Sequence, residues 1–176
     1  MMDANDKALR QWAYVKWNAM KRRASGKTGR EAYQGCSVSE EFQRFQDFFA
    51  WASKQIGFGF PDWHLDKDIL KKGNKVYGAA SCCFVPYQIN SLLIKNKTRR
   101  RAHLIGVRRN STKYRAEVNS DGRRQNLGNY STPEAAFFAY KKAKEAEIRR
   151  VAEQWRSKIP THVYAALLSY QVEITD

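Results

Sequence analysis

The chain has 176 residues, enough for one ordinary domain or two small ones, and 43% of them are hydrophobic, with five Trp, nine Tyr and nine Phe. That apolar supply excludes wholesale disorder, and 32 Lys plus Arg against 17 Asp plus Glu leave a formal charge of +15 that predicts a polyanionic partner. Nucleic acid is the first such partner and an anionic membrane the second. No run of eighteen apolar residues exists, so a spanning helix is excluded, and the N-terminus lacks the basic-then-apolar pattern of a secretory signal.

The first periodic segment is DKALRQWAYVKWNAMKRRAS. Leu9, Trp12, Ala13, Lys16, Trp17 and Met20 share one side at helical spacing, with Lys16 lending its stem. Gly and Ser in SGKTGREAYQGCS then break the pattern. SVSEEFQRFQDFFAWASKQIGF predicts a second helix capped by Ser39, with Glu40 and Glu41 in its first turn. Phe42, Phe45, Phe49 and Ala52, widened by Phe48 and Trp51, are expected to be its core stripe.

Residues 62 to 85 have no helical period and read as short extended pieces around turns at KKGN and YGAAS, after which Pro86 opens a short helix, PYQINSLLIK. The three cysteines, Cys36, Cys82 and Cys83, form no CxxC pair, and an odd count without an export signal predicts reduced thiols in a cytoplasm. A zinc site would need a fourth ligand from His64, His103 or His162 at irregular spacing, so no zinc is expected. Cys82 and Cys83 are expected to be small buried hydrophobes.

From Lys95 to Arg124 there are eleven Lys or Arg against Glu117 and Asp121. Within this tract LIGVRR, KYRAEV and RQNLGNY have strand character, and Asp121-Gly122 suits a hairpin turn. STPEAAFFAYKKAKEAEIRRVAEQW follows as a helix, with Ser131 and Glu134 matching a capping box and Pro133 in the first turn. A last helix, THVYAALLSYQVEI, begins after Pro160; it is expected to cap the core rather than dimerise, so a monomer is favoured.

Gly106-Val107-Arg108, Tyr114-Arg115-Ala116-Glu117-Val118, Leu127-Gly128-Asn129-Tyr130 and Glu134-Ala135-Ala136 leading to Ala139-Tyr140 resemble, in order and spacing, the DNA-binding domain of plant ethylene-responsive factors. The resemblance covers roughly residues 104 to 146, and related copies accompany HNH homing endonucleases in phages. It implies a three-stranded antiparallel sheet lying in the major groove of double-stranded DNA with a helix packed behind it. A ribbon fits that groove, and Arg can bond guanine O6 and N7 through both its nitrogens. On matching positions it implies base or phosphate contacts from Arg108, Arg115 and Arg124. Arg109, Lys113 and Arg123 would be phosphate contacts, which position without reading sequence. Tyr114 and Asn126 stand where the family often places Trp.

WAYVKWNAMKRR, YQGCSVSEEFQRFQDFFAW and LDKDILKKGNKVYGAASCCFVPYQIN are similar to phage proteins of the HNH endonuclease class. The resemblance implies two strands and a helix that clamp one divalent ion, Mg²⁺, against the scissile phosphate. Asp66 then matches the strand carboxylate, Asn90 the helix ligand and Asn74 the loop asparagine that braces the strand-to-helix geometry. Lys67 stands where many HNH enzymes place the general-base histidine. On an extended strand His64 shares the face of Asp66 and Asp68, opposite to Lys67, where it could approach the metal. Asp68 is a second ligand, a salt-bridge partner for Lys67 or a solvated acid.

The expected fold is therefore α+β. It comprises N-terminal helices with a ββα-metal-like unit (1–95), then a three-stranded antiparallel sheet packed on a helix, with a C-terminal helix (96–176). Three functions follow. The first is a metal-dependent HNH-type endonuclease or nickase acting on double-stranded DNA in a host cytoplasm. The second is a DNA-binding protein on the same scaffold with an inert metal site, acting as a regulator or inhibitor of a DNA enzyme. RNA or ribosome binding rests on charge alone. No membrane partner is expected.

Overall fold

The computed structural model describes residues 3–29, 33–93 and 104–176. Lys95 to His103, the basic start of the tract noted above, lie outside the described residues. Among those described, the chain is α+β with five helices and three sheets, and no helix is long and apolar enough to cross a membrane. It divides into two compact units, Met1–Leu92 with Trp155–Ala166, and Leu93–Gln154 with Leu167–Asp176.

In the first unit, α1 (Ala4–Ala24) lays its expected side onto the rest of the unit. Ala13 and Met20 are fully buried, and the polar ends of that stripe are used. Trp12 Nε1 donates to Phe60 O (3.0 Å), Lys16 Nζ to Trp63 O (2.6 Å) and Trp17 Nε1 to Phe42 O (2.9 Å).

The second helix is split. A 3-10 turn over Glu40–Phe42 is followed by an extended Arg44 and then α2 (Phe45–Ala52). Ser39 makes no cap hydrogen bond. Glu41 instead accepts the Ala79 amide (2.6 Å), and the Phe42 carbonyl goes to the Trp17 indole rather than to a continuing helical ladder. The break shifts the helical phase, so Phe42, Phe48 and Ala52 are buried while Phe45 and Phe49 are only half-buried beneath Arg10.

Two two-residue strands, β1 (Ser37–Val38) and β3 (Val76–Tyr77), pair in parallel. β2 (Trp63–Asp66) pairs antiparallel with β4 (Cys83–Pro86), with Trp63 opposite Pro86 and Asp66 opposite Cys83. Pro86 ends β4, and α3 (Tyr87–Leu92) follows at once. One side of the pair, through Phe84, meets Trp12 and Trp51 (centroids 5.1 and 5.6 Å). On the other side the Tyr87 ring of α3 lies 5.5 Å from His64.

In the second unit, β5 (Val107–Asn110), β6 (Lys113–Ser120) and β7 (Arg123–Tyr130) form an antiparallel sheet in that order. Asp121 (φ 50°) and Gly122 (φ 72°) make the hairpin turn, both in the left-handed region such a two-residue loop requires. α4 (Pro133–Trp155) packs behind the sheet, where Ala136, Phe137 and Tyr140 join Val107, Ala116 and Val118 in one core. Its cap is Thr132, whose Oγ1 accepts the Ala135 amide (3.2 Å), one residue later than the Ser131 box; a proline at the first helical position makes the residue before it the cap. α5 (Thr161–Leu168), which belongs to the first unit up to Ala166, is shorter than its periodicity predicts. Val172 joins the core, with its amide on Glu145 Oε1 (2.9 Å) and its carbonyl on Lys141 Nζ (2.6 Å), so neither is free for a helix.

Gly106 (φ 73°) sits under α4, where a Cβ would lie 2.1 Å from the Tyr140 ring. Gly106→Ala should therefore cost this unit about 2–5 kcal/mol from backbone strain plus overpacking, read as a lower denaturation midpoint.

The hairpin turn is tied to α4 by Arg150, which bonds Glu147 through two nitrogens (2.8 Å each) and Asp121 Oδ1 (2.6 Å). The Arg150 hydrogen bond holds the buried Glu147 carboxyl below its ordinary value. A depressed carboxyl stabilises the fold above its ordinary value and loses that contribution as pH falls through its lowered one. Glu147→Gln should cost about 1.5–3 kcal/mol at neutral pH and flatten the acid limb of a stability–pH curve.

Candidate nucleic-acid interface and metal centre

Alternation along the sheet sorts its basic residues. Val107, Ala116 and Val118 point into the core, so Arg108, Lys113, Arg115 and Glu117 point out, and register adds Arg124, Asn126 and Asn129 to that face. The three arginines implied as base or phosphate contacts thus share one exposed face, with Lys113 among them. Arg109 and Arg123 pair with Tyr114 and Ser120 and fall on the opposite phase, near the sheet's margins. Tyr114 packs against the core, whereas Asn126 is exposed across from Glu117.

Arg108 stands directly opposite Arg115. Like charges in that position repel, so the pairing is a local cost in the free protein that a polyanion would relieve. Glu117 partly offsets it: its Oε2 lies 3.6 Å from Arg108 and 3.7 Å from Arg124, below both guanidinium groups. Arg115 Nε reaches Asn129 Oδ1 (3.5 Å), which also accepts from Asn110 (3.1 Å). Sequence reasoning overlooked Glu117 and these asparagines as members of the face. Counting by twos from Arg115 would have found Glu117, but the bulge between Ala116 and Glu117 hides the β7 partners.

In the first unit the same alternation separates Trp63, Leu65 and Lys67, which are buried, from His64, Asp66 and Asp68, which are half-exposed. His64 and Asp66 thus share a face with their cross-strand partners Val85 and Cys83. α3 reaches that face through Tyr87, and Asn90, half-exposed, lies on the same side of α3 one turn on. Alternation along β2 thus places His64 and Asp66 on one face, and the Tyr87 ring brings α3 against it.

Lys67 goes the other way. It is 4% exposed, with its ammonium on Asp68 Oδ2 (2.7 Å), on the Asn74 carbonyl (2.6 Å) and over the Tyr77 ring (5.7 Å). Asn74 returns the contact, donating Nδ2 to Lys67 O (3.0 Å) and Val76 O (2.6 Å). The pair closes the loop between β2 and β3. Asp68 is therefore a salt-bridge partner, and the Asn74 amide is spent on the backbone of Lys67 and Val76.

Asp66 Oδ1 accepts two amides, from Asp68 (2.7 Å) and Ile69 (2.8 Å). The residue keeps some surface, but its carboxyl sits among packed groups, and that burial raises its pKa above the ordinary value, the two amide bonds opposing the shift. A carboxylate in that state gains from a nearby cation. With the amide oxygen of Asn90 it offers hard oxygen donors of the kind Mg²⁺ takes, water supplying the rest. By donor type alone, the Asp66 carboxylate and the Asn90 amide oxygen are compatible with that ion. Among the described residues no group of three or more His, Cys, Asp or Glu is placed to hold a metal. Burial lowers the His64 pKa, reinforced by Lys16 and Arg23, so its imidazole is neutral at physiological pH. Cys36, Cys82 and Cys83 are free and buried, and burial pushes the Cys82 thiol up to about 12 and Cys83 in the same direction. Cys82 and Cys83 are packing groups, as expected of them, and Cys36 is buried too.

No known family model, curated protein or solved structure matches the chain.

Proposed function

We propose that the chain binds double-stranded DNA through the exposed face of β5, β6 and β7, and nicks or cleaves it at the ββα unit in the manner of an HNH homing endonuclease. The observation that carries the first part is the convergence of Arg108, Arg115 and Arg124 on one sheet face, with two of them in repulsive cross-strand register. A twisted ribbon with outward guanidinium groups suits the major groove, where they bond phosphates or guanine edges.

For cleavage, Asp66 and Asn90 would hold Mg²⁺. That ion supplies Lewis-acid stabilisation of charge developing on the phosphate and its leaving oxygen. His64, neutral and on the same face, takes the proton of the attacking water, a role Lys67 is turned away from. Asn74 and Lys67 hold the loop that aims Asp66.

A second reading, DNA binding without cleavage, is favoured by one observation: the residue after Asp66 is a lysine locked to Asp68, with no imidazole in its place. Such a protein would regulate or inhibit a DNA enzyme. Supercoiled plasmid incubated with Mg²⁺ or Mn²⁺, beside a gel shift on the same DNA, separates the two. Metal-dependent relaxation supports cleavage. A shift without relaxation supports binding alone. If neither occurs, both readings fall.

A further inference from the structure

The last turn of α1, with Lys27, Thr28 and Tyr33, lines a half-open cavity of about 490 Å³ to which Asn18, Arg22 and Arg23 contribute from the helix. α1 ends at Ala24, and a turn closed by the Gly29 amide on the Gly26 carbonyl (3.2 Å) brings Lys27 and Thr28 back beside the helix. Two features set this pocket apart. Among the described residues, its lining holds three cationic side chains and no carboxylate. The Thr28 hydroxyl is buried and, again among the described residues, has no hydrogen-bond partner.

Basic residues at a helix C-terminus ordinarily complement the helix dipole, and that accounts for Arg22 and Arg23. It does not account for Lys27, which is outside the helix, or for the orphaned hydroxyl, which costs free energy unless a polar group meets it. Arg23 is held in place by the Tyr33 ring, 5.5 Å from its guanidinium carbon. A restrained guanidinium, a second one, an ammonium and a hydroxyl donor around one cavity match the oxygens of a tetrahedral anion.

We propose that this pocket binds a phosphoryl group, either a phosphodiester of a nucleic-acid backbone or a free phosphate. The assignment does not depend on the role of the sheet, and the test keeps the two apart. Inorganic phosphate is titrated into the full-length protein by calorimetry, and duplex DNA binding is measured across a salt series. Both are done for the wild type, Arg22→Gln/Lys27→Gln and Thr28→Val, with thermal melts as the folding control.

Phosphate affinity should fall at least about tenfold in the double variant and by a few-fold in Thr28→Val, which keeps the shape and removes the donor. If the pocket seats a backbone phosphate, the double variant's log–log salt slope for DNA also becomes shallower, by roughly 0.9 for each phosphate no longer neutralised. Abolished phosphate binding with an unchanged DNA slope assigns the pocket to the free anion. Phosphate binding that is absent in the wild type, or equal in all three folded proteins, together with an unchanged slope overturns the proposal. A wild type that binds phosphate but no duplex DNA leaves the pocket standing and removes the DNA reading instead.

Discussion

Replacing Asp66 by Asn should raise thermal stability near neutral pH while abolishing metal-dependent nicking. The two effects have one cause. Asn keeps the Oδ1 acceptor that takes the Asp68 and Ile69 amides, so the local turn survives. It removes a carboxylate whose pKa burial has raised. A group with a raised folded pKa binds its proton more tightly in the native state, so ionising it costs stability as pH climbs through that value. The variant should therefore melt higher than the wild type at pH 7, and the difference should vanish below the ordinary aspartate value of 3.8. Mg²⁺ should raise the melting temperature of the wild type and not of the variant. Loss of the carboxylate ligand should lower nicking by about a hundredfold or more. Undiminished nicking in Asp66→Asn would remove this residue from the catalytic site. A lower melting temperature at pH 7 would mean that its charge is already compensated within the fold.

Arg108→Ala with Arg115→Ala should lower affinity for duplex DNA by about a hundredfold or more, at roughly 1–3 kcal/mol per arginine. Their direct opposition in the sheet makes the double variant a clean probe. Removing both relieves a like-charge pair but takes Arg108 from Glu117, which keeps Arg124, so stability should change little and a thermal melt separates weakened binding from unfolding. The salt slope should shrink by about one for each phosphate that the variant no longer reaches. Arg109→Ala, on the other phase of the pleat, should cost less. Equal losses for Arg109→Ala and the double variant would point to diffuse charge attraction, and unchanged affinity in the double variant would exclude the sheet face. Fluorescence anisotropy at several salt concentrations reads all of these outcomes.

Local chemistry carried much of this molecule. The period of two in KYRAEV, the Asp121-Gly122 turn and the 3.6 period of the first helix all depend on neighbours within a few residues, and the structure follows them, whereas the register shift opposite Ala116 and Glu117 skips Leu127 and breaks the alternation of RQNLGNY. The shared face of His64 and Asp66 was legible for the same reason, since alternation along a strand needs no partner. Elsewhere a distant group competed for a backbone atom and won. The Trp17 indole takes the Phe42 carbonyl and the helix breaks at Arg44; Glu145 and Lys141 take both polar groups of Val172 and the last helix stops at Leu168.

Lys67 is the clearest case. In the sequence it is a cation where the resemblance expects a histidine. Only the folded loop supplies the carboxylate, the carbonyl and the aromatic ring that let its ammonium be buried. Residue order alone was enough to say which side chains could share a face. Packing chose which polar groups would be satisfied, because a hydrogen bond goes to whichever partner the folded chain brings within reach.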